Sequence, residues 1–137
     1  MKLILITLIT FLMVTASAKA DDFNCLVEAV YHEARSESLL GMLSVANVIL
    51  TRKGNPIKDK CQFSYWCDGK PERFIEVEGL IKSINVSEMV LKGIQVKQTV
   101  GATHYHANYV TPSWASDPRF KALGSIGKHL FYIDMRE

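Results

Sequence analysis

A glutamate near the end of a predicted helix is the first residue whose position suggests chemistry. The sequence from Phe23 to Ala34 has helical spacing, and Glu33 lies at the border of its apolar stripe. A carboxylate at such a border is partly desolvated, which raises its pKa toward the range that a general acid needs. The alternative is an ordinary surface glutamate near a helix C-terminus, and position alone favours that alternative.

A second candidate is the segment from Cys61 to Gly69, which combines amide, hydroxyl and aromatic side chains. Gln62 and Ser64 offer hydrogen bonds, and Phe63 offers a flat apolar face. This combination suits the recognition of sugars. A small hydrophobic cluster beneath a loop is an equally good interpretation of the segment taken alone.

The histidines form the third candidate. His104 and His106 lie on one face of a predicted strand, and His129 follows in a later one. A His-x-His pair on a strand could bind a metal ion. The zinc motif H-E-x-x-H that begins at His32 fails, because Ser36 occupies its last position. We therefore interpret the histidines as hydrogen-bonding groups in a site wall or in the core.

These candidates need a scaffold, and the sequence predicts an α+β fold. It consists of a helical lobe followed by a small antiparallel β element, with a cleft between the two. The predicted helices are Phe23–Ala34, Leu39–Leu50, Glu72–Ile84 and a short one from Ser87, its N-cap, to Gly93. A strand is predicted from Ala102 to Pro112, then a loop over Ser113–Lys121, then a last strand over Ile126–Ile133 that pairs with the first.

The amino-acid composition limits which classes of protein this chain can belong to. The chain has 137 residues, with 16 basic and 14 acidic side chains and 48% apolar residues. These figures suit one small globular domain and exclude extended disorder. No basic run is present, so we expect no nucleic-acid partner.

The first twenty residues predict a secretory signal peptide rather than part of the fold. Lys2 precedes an apolar run from Leu3 to Val14, and Ala18–Ala20 supplies a small-x-small cleavage pattern. We expect residues 1–20 to be removed, leaving a domain over residues 21–137 in the periplasm or outside the cell. Membrane contact would then be transient. An uncleaved membrane anchor is the alternative.

The chain has three cysteines, which can form at most one intramolecular disulfide in that compartment. Cys61 and Cys67 enclose a short loop, so their pairing is sterically easy. Cys25 could instead pair with either of them and close a longer loop. The residues alone do not decide between these pairings.

Five ordered blocks between Cys25 and Tyr132 carry a common pattern. They are Cys25–Glu37 (C-L-x-x-A-x-Y-x-E-A-R-G-E), Ser44–Arg52 (A-V-A-x-V-I-L-N-R), Cys61–Gly69 (C-Q-F-S-x-x-C-D-G), Gly101–Trp114 (G-A-T-H-Y-H-x-x-x-V-x-P-x-W) and Ile126–Tyr132 (I-G-x-H-x-F-Y). Together these blocks resemble cell-wall hydrolases of the spore cortex-lytic enzyme (SleB) type. The sequence departs from the pattern at Ser36, where the family has Gly, and at Thr51, where it has Asn.

The resemblance implies a lysozyme-like, lytic transglycosylase-type fold, peptidoglycan glycan strands as substrate and no cofactor or metal. It implies that Glu33 is the catalytic acid. It also implies the substrate-binding set Arg35, Gln62, Phe63, Ser64, His104, Tyr105, His106, Trp114 and His129. A cysteine that the family usually has after Pro56 is absent here, which favours the Cys61–Cys67 bridge over a bridge to Cys25.

The resemblance predicts a secreted monomeric enzyme that cleaves the β-1,4 bond after N-acetylmuramic acid and leaves an anhydromuramic product. One carboxylate suffices for that route, whereas plain hydrolysis needs a second, for which Asp68 and Asp117 are candidates. One alternative is a zinc amidase of the stem peptide with His104, His106 and His129 as ligands. Another is a glycan-binding protein without catalysis. Wall remodelling, spore germination and phage lysis are all compatible roles.

Overall fold

Three helices precede a three-stranded sheet in the computed structural model, which describes residues 22–52 and 76–137. The helices are α1 over 22–34, α2 over Leu39–Thr51 and α3 over Val77–Leu91. The strands are β1 over His104–Ala107, β2 over Phe120–Ile126 and β3 over His129–Asp134. Short 3-10 helices cover Lys97–Thr99 and Ser113–Ser116. The predicted α+β fold is therefore confirmed.

Helix α2 is the central element of the helical lobe. It begins after Ser38, whose side chain caps the helix by accepting a hydrogen bond from the Gly41 N–H at 3.2 Å. Eight of its residues are buried, as its nearly continuous apolar sequence predicts. Asn47 ties the chain after α3 to this helix, because its side chain bonds the Ile94 carbonyl and the Val96 N–H.

Helix α3 corrects the predicted division into two helices. It runs through Ser87, which is fully buried within the helix and does not cap a new one. Neither Gly nor Pro interrupts the sequence between Ile84 and Ser87, so nothing there breaks the backbone hydrogen bonds. Val86 and Val90 pack into the core on the same face. The predicted end at Gly93 is close, since the helix ends at Leu91.

The sheet is antiparallel, with strand order β1-β3-β2. Tyr105 lies opposite Phe131 and Ala107 opposite His129, so the predicted pairing of the first and last strands is confirmed. Strand β2 begins inside the predicted loop and was not predicted as a strand. It is largely exposed, and its register with β3 shifts between Ala122 and Gly124.

The two faces of the sheet have different surroundings. Tyr105, His129 and Phe131 lie on the face toward the helices, where Phe131 is completely buried in the main hydrophobic cluster. The alternate residues of β1, His104 and His106, lie on the other face, as predicted. The sheet therefore separates a packed core from an aromatic surface.

Over residues 22–52 and 76–137, no helix combines the length and the apolar character that crossing a bilayer requires.

Candidate active site

Helix α1 positions Glu33, and the side chain of Tyr105 in β1 contacts it. Glu33 lies one residue before the end of the helix, where it is partly buried. The Tyr105 hydroxyl donates a hydrogen bond of 2.9 Å to Glu33 Oε2. The contact joins residues that are 72 positions apart, so it forms only when the helical lobe and the sheet have come together.

Burial raises the pKa of Glu33 above its ordinary value. The hydrogen bond from Tyr105 acts in the opposite direction, because it stabilises the ionised carboxylate, but burial is the larger effect. A glutamate with a raised pKa keeps a larger protonated fraction near neutral pH. It can therefore donate a proton to a bound substrate and take one back.

Glu33 lines a pocket of about 430 Å³ between the helices and the sheet. The pocket is lined by Glu33, Val48, Ile49, Arg52, His104, Tyr105, Trp114 and Phe120. Its size and its mixture of apolar and polar groups suit a small polar ligand such as a sugar ring. The predicted cleft between the helical lobe and the β element is therefore present.

One side of the pocket is an aromatic wall formed by His104, Trp114 and Phe120. The three ring centroids lie 5.0–5.4 Å apart. Phe120 is also covered by the Arg136 guanidinium, 5.7 Å from the ring centroid. The rings are tilted or perpendicular to one another, and rings held in this way lose little conformational freedom on binding.

His104 can supply a hydrogen-bond donor to this wall. Its Nδ1 lies 3.0 Å from the Thr103 hydroxyl, which accepts a hydrogen bond from the Asp134 N–H at 2.7 Å. Burial, followed by the charge of Arg52, lowers the pKa of His104, which favours the neutral ring. If the Thr103 hydroxyl proton points to Nδ1, the ring proton is on Nε2.

Glu33 is the only carboxylate that lines this pocket within the described residues. Asp117 is a candidate second carboxylate, but it accepts hydrogen bonds from the Arg119 side chain and from the Arg119 backbone N–H. These bonds lower the pKa of Asp117 to about 2, so it is an ionised partner of that arginine. The other candidate, Asp68, lies outside the described residues.

The structure brings together only part of the predicted substrate-binding set. His104, Tyr105 and Trp114 line the pocket with Glu33. His106 lies behind the wall, between Trp114 and Tyr132. The predicted loop residues Gln62, Phe63 and Ser64, and the predicted Cys61–Cys67 bridge, lie outside the described residues.

Two further members of the predicted set lie away from the pocket. The Arg35 guanidinium is 4.9 Å from the centroid of Tyr31 and forms an ion pair with Glu76 at 3.3 Å. His129 is buried on the helix-facing side of the sheet, where its ring packs edge-on against Tyr105. Neither residue lines the described pocket.

The position of His129 also bears on the zinc alternative. His104 and His106 contact Trp114 on one face of the sheet, whereas His129 contacts Tyr105 on the other. The backbone of the sheet therefore separates the third proposed ligand from the first two. His106 also has both ring nitrogens in hydrogen bonds, with the Ala107 carbonyl and the Tyr132 hydroxyl.

Arg52 and Phe120 also line the pocket and were not among the predicted site residues. Arg52 ends the second block of the family pattern, so its place in the motif was an available signal. Phe120 had no such signal, because it lies at the start of the strand that was predicted as a loop.

Comparisons with known proteins agree with this architecture. The Cell Wall Hydrolase family matches residues 36–132. The crystal structure of the catalytic domain of the Bacillus cereus SleB protein is similar in fold, with a TM-score of 0.60 and 24% sequence identity. The similarity covers 82% of this chain and 90% of that one. No curated protein gives a significant match.

Proposed function

Because the chain belongs to the cell wall hydrolase family, we propose that it is a lytic transglycosylase that cuts peptidoglycan glycan strands with Glu33 as its acid and base. The observation that carries the proposal is one partly buried carboxylate with a raised pKa beside an aromatic-lined pocket. The family match begins after Glu33, so the role of Glu33 rests on this geometry and on the E-A-R motif.

The proposed reaction uses one carboxylate twice. Protonated Glu33 donates its proton to the glycosidic oxygen as the bond from the anomeric carbon of N-acetylmuramic acid breaks. The resulting carboxylate removes the proton from the C6 hydroxyl of the same sugar, whose oxygen bonds to the anomeric carbon. The products are an N-acetylglucosamine end and a 1,6-anhydromuramic end, and Glu33 is protonated again.

The pocket supplies the other requirements of this reaction. The aromatic wall of His104, Trp114 and Phe120 offers an apolar face on which a sugar ring can stack. Arg52 and His104 place hydrogen-bond donors around the same space. The absence of a second carboxylate from the described lining favours the intramolecular hydroxyl over an activated water as nucleophile.

Product analysis tests the proposal directly. We expect purified enzyme to release muropeptides that are one water lighter than hydrolysis products and that resist borohydride, because an anhydro end has no reducing aldehyde. Mass spectrometry before and after reduction checks this. Reducible muramic ends would show hydrolysis instead, and free stem peptides would show an amidase.

We also propose that residues 1–20 are a cleaved signal peptide, which agrees with a substrate outside the cytoplasm. N-terminal sequencing of the exported enzyme should begin at Asp21. A start at Met1 would show a membrane-tethered enzyme instead.

Replacing Tyr105 by Phe should move the alkaline limb of the activity profile to higher pH. The hydroxyl stabilises ionised Glu33, so its loss raises the pKa of Glu33 further and keeps the acid protonated at higher pH. We expect kcat to fall by about 2- to 10-fold, as is typical when one hydrogen bond of about 0.5–1.5 kcal/mol is lost. Rate measurements across pH check this, and a limb that stays in place or moves to lower pH would contradict it.

A further inference from the structure

Glu37 is a buried carboxylate that the reaction above does not use. Its side chain is 5% exposed, and it lies in the turn between α1 and α2. Acidic side chains are almost never buried this completely unless they have partners. Here the Lys128 N–H donates to Oε2 at 3.3 Å, and His129 Nδ1 lies 3.4 Å from Oε1.

Two glycines make room for this carboxylate. A Cβ atom at Gly41 would lie 3.0 Å from the Glu37 Cβ, and one at Gly127 would lie 2.0 Å from Oε2. Gly127 also has a positive φ of 57° in the tight turn between β2 and β3. The helical lobe and the hairpin are therefore both shaped around the Glu37 side chain.

His129 connects Glu37 to the pocket. Its side chain is 10% exposed, and its ring meets Tyr105 edge-on with the centroids 5.1 Å apart. Tyr105 in turn donates to Glu33 at 2.9 Å. A continuous series of contacts thus runs from Glu37 through His129 and Tyr105 to Glu33.

We infer that Glu37 and His129 are positioning residues that hold the Tyr105 hydroxyl on Glu33 and thereby set the protonation and orientation of the acid. This inference rests on the proposed function, because it assigns Glu33 as that acid. Glu37 accepts a hydrogen bond from the Lys128 N–H and lies 3.4 Å from His129 Nδ1, and the His129 ring packs edge-on against Tyr105. Neither residue lines the described pocket.

The charged surroundings are compatible with this role. Lys82 of α3 and Glu37 line the same small pocket. His106 of β1 lies on the opposite face of the sheet from His129 and interacts with it through its charge. Burial lowers the pKa of His129, with Glu37 opposing and His106 adding to that effect. Around Glu33, Arg52 and His104 are the other charged or titratable side chains that line the described pocket besides Tyr105.

The test uses two variants that act on different contacts. Glu37→Gln keeps the size and an acceptor for the Lys128 N–H but removes the charge. His129→Asn keeps a nitrogen near the position of Nδ1 and removes the ring that packs on Tyr105, so it carries the test if Glu37→Gln does not fold. Each is measured alone and combined with Tyr105→Phe, and exposed Glu88→Gln on α3 is the matched control.

We expect each variant to lower kcat by about two- to tenfold and by no more than Tyr105→Phe does, with KM changed by less than about twofold. The alkaline limb should move to higher pH, as for Tyr105→Phe. If the loss of the Glu37 charge acted on Glu33 only through Coulomb interaction, the pKa of Glu33 would fall and the alkaline limb would move to lower pH. The direction in which the limb moves therefore separates loss of positioning from loss of charge. In the Tyr105→Phe background neither variant should have a further effect, because the hydroxyl that they position is already absent.

Two results would overturn the inference. One is a lower melting temperature with an unchanged kcat and pH profile, which would show a purely structural role. The other is a full, multiplicative loss in the Tyr105→Phe background. Glu33→Gln is measured alongside to separate the proposed function from the positioning role. An active Glu33→Gln enzyme would contradict the proposed function itself. An inactive Glu33→Gln enzyme together with a wild-type pH profile for Glu37→Gln would contradict only the positioning role.

Discussion

Glu33→Gln should abolish cleavage of peptidoglycan while leaving the fold intact. Gln keeps the size of the side chain and an oxygen that can accept the Tyr105 hydrogen bond, but it carries no proton to donate. Acid–base transfer typically contributes about 10²- to 10⁴-fold in rate, and here one residue serves both steps. We therefore expect a loss of at least that size in the clearing of cell-wall suspensions, with binding to walls retained.

The stability of this variant provides an internal check. Burial raises the pKa of Glu33 in the folded protein, so ionisation destabilises the fold as pH rises from the unfolded-state value through the folded-state value. Gln has no such penalty, and its melting temperature should equal or exceed that of wild type at alkaline pH. Exposed Glu88→Gln is the control. Clearing by Glu33→Gln at a substantial fraction of the wild-type rate would show that Glu33 is not the acid.

Phe131→Ala should produce the largest loss of stability. Phe131 is completely buried in the main hydrophobic cluster and lies opposite Tyr105 in the sheet. Removing a buried phenyl ring costs about 3–5 kcal/mol, because apolar burial is lost and a cavity remains. That is a large part of the stability of a small domain, and it should lower the melting temperature by more than about 10 °C.

Phe131→Leu distinguishes packing from any chemical role of the ring. Leucine fills much of the same volume, so we expect a loss below about 1.5 kcal/mol and near-normal activity. Denaturant unfolding of both variants measures the difference. Equal losses for Ala and Leu would contradict the expectation that the cavity dominates.

The helical part of the fold was predictable where the hydrophobic period was strong. Helices α1 and α2 were located nearly to the residue, since their apolar positions recur with helical spacing. The division of α3 was wrong because Ser87 resembles an N-cap in the sequence but is buried inside the helix. Strand β2 was missed because Lys121, Gly124 and Ser125 interrupt an edge strand that is mostly exposed.

The active-site geometry was predictable only in part. The border position of Glu33 followed from the period of α1, and the common face of His104 and His106 followed from strand alternation. The hydrogen bond from Tyr105 did not follow, because it depends on how the sheet packs against the helix. Strand alternation places His129 on the same face as Phe131, but its burial depends on how that face packs against the helices, which the local sequence does not encode.

Two contacts around the site join residues that are far apart in the sequence, and this separation affects the order in which the protein folds. Tyr105 is 72 positions from Glu33, and Lys128 is 91 positions from Glu37. Such pairings carry a large loop-closure entropy and form late, after local helices. A chain that has emerged only as far as its helices therefore has Glu33 without the Tyr105 hydroxyl and without the pocket wall of His104, Trp114 and Phe120. Under the proposed function, lytic activity should appear only once the last hairpin has folded, so that translocating or proteolytically shortened chains are inert toward the wall.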